Sequence, residues 1–147
     1  MKRMILLMCL ALNMCIGYAQ NYTSSQETLC SQISAYFSRQ GFKPENQSDG
    51  LRFKSEGVYY YVEIDKDEEK PMYVRLRRYV KFDNKLTREK VLKNLNSYNV
   101  KFGAKVSCQE KNIVISVEMF LTKASQFTYV FDSLLSQVKS AYDKVNE

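Results

Sequence analysis

The sequence predicts an exported α+β domain: one five-stranded antiparallel sheet with helices packed on one face. Three observations predict it. A basic-then-apolar leader opens the chain, apolar spacing switches from helical to alternating and back, and the alternating segments are joined by turns too short for parallel crossovers. The element order is α-β-β-β-α-β-β-α.

The leader begins Met1-Lys2-Arg3, continues with the apolar run from Met4 to Leu12, and leaves through Gly17-Tyr18-Ala19. That is the pattern of a signal peptide over residues 1–19, cleaved after about Ala19 to leave Gln20 as the mature start. The run falls well short of the roughly 20 apolar residues that span a bilayer, so no stable membrane insertion is expected. Cys15 offers an alternative lipidation point, although Met14 before it is larger than such cleavage favours. The expected location is secreted or periplasmic, in a bacterial cell envelope. Residues 20–147 carry 20 basic and 16 acidic side chains, a net charge of +4. So mild an excess predicts no nucleic-acid partner. A single domain of this length buries roughly two-thirds of its unfolded surface and needs no disulfide framework.

Ser24 and Glu27 have capping-box spacing. Leu29, Cys30, Ile33, Tyr36 and Phe37 follow as the stripe of a first helix, which Gly41 and Pro44 end. Leu51 and Phe53 then alternate with Arg52 and Lys54. Beyond a turn at Ser55-Glu56-Gly57, Val58, Tyr60, Val62 and Ile64 alternate with Tyr59, Tyr61 and Glu63. A charged turn from Asp65 to Pro71 leads to a third strand, Met72 to Phe82, where Arg78 breaks the alternation and predicts a bulge or strand end. Thr87 caps a second helix with Val91, Leu92, Leu95 and Tyr98 inward. Two strands follow, Ala104 to Cys108 and Ile113 to Met119. The last helix has the clearest stripe, running from Phe127 through Phe131, Leu134, Leu135 and Val138 to Val145.

From about residue 29 to 145 the chain resembles the YbjN family, which shares the fold of type III secretion chaperones. The matching positions are Gly41-Phe42, Phe53-Lys54-Ser55-Glu56-Gly57, Tyr60 to Asp65, Leu95-Asn96 and Ser116 to Leu121. The resemblance implies an α+β fold, dimer formation and polypeptide binding. It does not carry the secretion-chaperone role across, because this chain is basic and bears a leader.

No histidine is present, which removes the usual general base and both the Ser-His-Asp and Cys-His arrangements. There is no phosphate loop, Cys-x-x-Cys pair or metal cluster, so no catalytic residue, cofactor or metal is expected. Asp65, Asp67, Glu68 and Glu69 form the densest acidic run but lack the turn glycine and distal glutamate of a calcium loop. A small envelope hydrolase using paired carboxylates is the competing reading. Cys30 and Cys108 both fall on inward faces, as two buried thiols or as a disulfide that export would permit. On the opposite sheet face stand Tyr59, Tyr61, Tyr73, Arg75, Arg77 and Tyr79, with Arg52, Lys54, Glu63 and Lys81. Tyrosine and arginine are enriched at interface hot spots. This face is either a protein- or peptide-binding surface, a homodimer contact among the choices, or a set of cross-strand pairs that stabilise an exposed sheet.

Overall fold

The computed structural model describes residues 22–101 and 103–147. The expected signal peptide, its cleavage point and Cys15 lie outside the described residues. Among the described residues three helices, α1 (Ser24–Arg39), α2 (Arg88–Lys101) and α3 (Ala124–Asn146), accompany one six-stranded sheet. Its strands are β1 (Glu45–Gln47), β2 (Gly50–Ser55), β3 (Val58–Glu69), β4 (Met72–Lys81), β5 (Lys105–Cys108) and β6 (Asn112–Leu121). They lie in the order β1-β2-β3-β4-β6-β5, every neighbouring pair antiparallel. The five-strand expectation is thus corrected by one. β1 is three residues long, too short to show an alternating pattern, and a two-residue turn at Ser48-Asp49 folds it onto β2. Gly50 closes that turn where a Cβ would stand 2.0 Å from the Val62 carbonyl oxygen, so only glycine fits.

α1 starts one residue earlier than the serine signal implied. Thr23 is the N-cap: its hydroxyl accepts from Gln26 N at 3.4 Å, and Thr23 N donates to Gln26 Oε1 at 3.0 Å. Gln26 wins over Glu27 because an amide can also donate. Its Nε2 reaches the carbonyls of Asp65, Lys66 and Glu68 at 2.8, 3.3 and 3.3 Å. The helix ends as expected, with Gly41 at φ 84° and Phe42 N donating back to Phe37 O at 3.0 Å. Glu56 and Gly57, at φ 51° and 82°, make the tight turn between β2 and β3.

Two expectations about the long hairpin are corrected. β4 stays in register with β6 from Met72 to Lys81, so Arg78 causes no bulge. It occupies an inward position, and its guanidinium lies 3.2 Å from the centroid of the Tyr142 ring on α3. A flat cation on an aromatic face can replace an apolar side chain there. The irregularity falls instead in β3, between Ile64 and Glu69, where the acidic run is strand rather than turn.

The core lies between the inner sheet face and α1 with α3. Phe37 of α1, Phe53 of β2 and Phe131 of α3 meet with ring centroids 4.4 to 5.6 Å apart, and all are fully buried. Each such side chain contributes roughly 1.5–3 kcal/mol. α2 packs on β5 and α3 through Val91 and Tyr98. Leu92, expected inward, is 44 % exposed. The helix covers only a four-residue strand and has room for a narrower stripe than the sequence suggested. Asn99 closes that sheet edge: its Oδ1 accepts from Val106 N at 2.6 Å and its Nδ2 donates to Val106 O at 3.2 Å.

Candidate interaction surface

Strand alternation turns one side chain in two away from the helices. In-register pairing then builds rows across the sheet: Tyr61 with Arg77 and Ser116, Glu63 with Arg75 and Glu118, and Tyr73 with Phe120. No described helix lies over this face, since α1 and α3 pack on the other one.

Glu63 is its centre. It is only 5 % exposed; its Oε2 lies 2.6 Å from Arg77 Nη1 and 3.4 Å from Arg75 Nε. The Tyr79 hydroxyl donates to Oε1 at 2.7 Å. Arg75 also reaches Asp65, 3.7 Å away, and lies 5.3 Å above the Tyr73 ring. A carboxylate this buried is tolerated because two guanidiniums and a hydroxyl surround it, and removing one partner would leave an uncompensated charge. Burial pushes the Tyr79 phenol up, with its bond to Glu63 adding to the rise. Arg77 is held above the usual range: burial opposes its charge, but Tyr79 and Glu63 outweigh it. Glu118 is held below its usual range, burial being overcome by Tyr73, Lys105 and the two arginines.

Around this hub the face is aromatic. Arg52 and Lys54 lie over the Tyr59 ring, 4.8 and 5.5 Å from its centroid, and Tyr61 meets Tyr79 edge-on at 5.1 Å. Tyr73 packs on Phe120 at 5.0 Å. Tyr59 is 40 % and Phe120 62 % exposed. All six residues singled out in the sequence thus share one face. Arg77 and Tyr79 join at Glu63, Arg75 bridges Glu63 to Tyr73, Tyr61 leans on Tyr79, and Tyr59 stands apart beside Arg52. The sequence reading placed Glu63 on this face without its partners and missed Phe120. Extending the alternation of β6 back from Ile115 and Val117 places Ser116, Glu118 and Phe120 on the outer face, which was the available signal.

The remaining expected site residues lie elsewhere. Cys30 and Cys108 are free, half-buried thiols, the first on α1, which packs on β2 and β3, the second on the far edge strand β5, and burial pushes both up. Cys30 lines a groove of about 1100 Å³ between α1 and β1, where among the described residues serines, Asn46 and Gln47 stand beside Tyr22, Ala35 and the carboxylate of Glu27. Among the described residues no three metal-ligating side chains gather, and no helix is long and apolar enough to cross a membrane.

No family model matches the chain, and no curated protein matches it. Solved structures do. YbjN from E. coli, described as proposed to regulate transcription, aligns with a TM-score of 0.57 at 10 % identity, over 79 % of this chain and 87 % of that one. An uncharacterised protein from Methanothermobacter thermautotrophicus aligns with a TM-score of 0.56 at 7 % identity, over 80 % and 96 %. At such identities the likeness speaks to fold alone, and on that ground the chain has a YbjN-like fold.

Proposed function

We propose that this protein is an exported, non-enzymatic interaction module that binds another polypeptide, a second copy of itself included, through the outer sheet face. The observation that carries this reading is an outer sheet face whose polar centre is ion-paired within itself while its aromatic margin is exposed. Glu63, Arg75, Arg77 and Tyr79 are joined by two ion pairs and a hydrogen bond. Phe120 and Tyr59 project from the face as apolar contacts. Interfaces favour this composition: large aromatics and arginine, with side chains already ordered so that little entropy is lost on association. The carboxylate-pair hydrolase has less support. Glu63 and Asp65 share Arg75, but among the described residues lining the α1–β1 groove the carboxylate is that of Glu27.

A photoreactive benzoylphenylalanine in place of Phe120 tests the reading. Cross-linking in the expressing cell should give discrete adducts from position 120. The same probe at Tyr129, 91 % exposed on α3, should give few. Self-adducts would mean a homodimer and heavier ones a different partner. Equal labelling at both positions would refute the surface. Export is tested separately: N-terminal sequencing of the protein recovered from the envelope should begin at Gln20, and retention of residues 1–19 would remove that part of the reading.

A further inference from the structure

The positive charge of the domain is concentrated. Between Lys81 and Lys111 the chain carries eight basic and three acidic residues, whereas the rest of residues 20–147 holds 12 basic and 13 acidic. The fold brings much of this segment to one end. Lys81 closes β4 opposite Asn112, the first residue of β6, which sets Lys111 of the β5–β6 turn beside it. Arg88 opens α2 close enough to Cys108, at the end of β5, for its charge to oppose the effect of burial on that thiol. Lys85 is exposed in the loop between β4 and α2. Among the described residues, Lys81, Lys85, Arg88, Lys90, Lys93 and Lys111 form no ion pair, while Lys105 of the same segment pairs with Glu118.

The three acidic residues of this segment, Asp83, Glu89 and Glu110, are all exposed and leave it a net charge of +5. The exposed Asp83 carboxylate accepts from the backbone N–H groups of Lys85 and Leu86 on its own loop at 2.8 and 2.7 Å. Leu92 is the other unusual feature. It is 44 % exposed, four residues after Arg88 and so on the same side of α2, with Lys93 next to it.

We infer that this end of the molecule, built on Arg88, Leu92 and Lys93 with Lys81, Lys85 and Lys111 around them, docks an acidic polypeptide segment that carries an apolar side chain. Unpaired cations supply attraction and orientation, and Leu92 supplies an apolar contact that charge alone would not need. Nucleic acid fits less well. Single strands need exposed aromatic rings to stack on, yet here Tyr98 is 6 % exposed and Phe82 only half-exposed. Apart from Lys81, which ends the outer sheet face, this surface is separate from that face and does not rest on its reading.

The test is a fluorescence-anisotropy titration of residues 20–147 with a labelled peptide of repeating Glu-Glu-Leu, with labelled oligo-dT of similar charge in parallel. The double change Arg88→Glu with Lys93→Glu should weaken peptide binding at least roughly tenfold and flatten its salt dependence. Lys43→Glu with Lys123→Glu makes the same change in net charge at other exposed sites and should leave binding within about twofold. Leu92→Ser should weaken the peptide several-fold and leave its salt dependence intact. All positions changed are exposed, and thermal melts establish that each variant is folded. Equal losses from both charge reversals would reduce the effect to net charge and overturn the proposal. So would an absence of binding, or oligo-dT binding as tightly as the peptide with Leu92→Ser having no effect.

Discussion

At Gln26 one fully buried amide does two jobs. Its oxygen completes the cap of α1, and its nitrogen holds three carbonyls of β3 where the sheet register slips. An irregular strand exposes backbone groups that the ladder no longer pairs, and burying them unpaired is costly. Gln26→Ala should therefore lower stability by about 2–3 kcal/mol in urea unfolding. Gln26→Glu should do no better, because a carboxylate accepts but cannot donate. A loss below about 0.5 kcal/mol for alanine would show that water replaces the amide without penalty. The sequence carried the capping spacing twice, at Thr23–Gln26 and at Ser24–Glu27. Nothing local decides between them; the choice is made by β3, some forty residues away. Arg78 is similar. An arginine among inward positions reads as a break until Tyr142, on another element, supplies the ring it lies against.

At the scale of elements, the two sheet edges are finished differently. β1 is simply short, one of the ways in which an edge avoids pairing with other chains. β5 is capped by α2, where the Asn99 amide pairs with both backbone groups of Val106 as a further strand would. Asn99→Ala should expose that pair. Hydrogen exchange at the Val106 amide should accelerate by at least roughly tenfold, with a global loss of only about 1 kcal/mol. Unchanged protection would mean that the helix itself, and not the amide, shields the edge. Long elements were legible because each repeats its period several times, as α3 does from Phe127 to Val145 and β4 does from Met72 to Lys81. β1 was not, because three residues hold no period. The inward placement of Leu92 failed for a related reason: helical spacing finds a stripe but not how much of it the neighbouring strand is wide enough to cover.

For the whole molecule, alternation correctly divided the sheet into a packed face and an outer one, which sufficed to place all six candidate residues together. What it could not give was the buried centre. Glu63 gains its partners from β4, and only the pairing register sets them at hydrogen-bonding distance. The same packing makes stability depend on pH with a predictable sign. Burial pushes up the Cys30 thiol, with a half-buried position on α1, and the phenols of Tyr22 and Tyr79. Unfolded, these groups ionise from about pH 9 for the thiol and about pH 10 for the phenols. Folded, they keep their protons to higher pH. Above about pH 9 the native state therefore binds more protons than the unfolded state, and stability falls as pH rises. Asp83 and Glu118 act oppositely. Asp83 is held low by backbone N–H groups of its loop, and Glu118 by Tyr73 and neighbouring cations despite burial. Their contribution is present above the ordinary carboxylate range and is lost as pH falls through it. Urea midpoints should therefore be highest between about pH 6 and 8 and fall on both sides. Cys30→Ala should flatten the onset of the alkaline limb near pH 9, and Tyr22→Phe its continuation above pH 10. An alkaline limb unaltered by either change would mean that lysine deprotonation, not these buried acids, governs stability there.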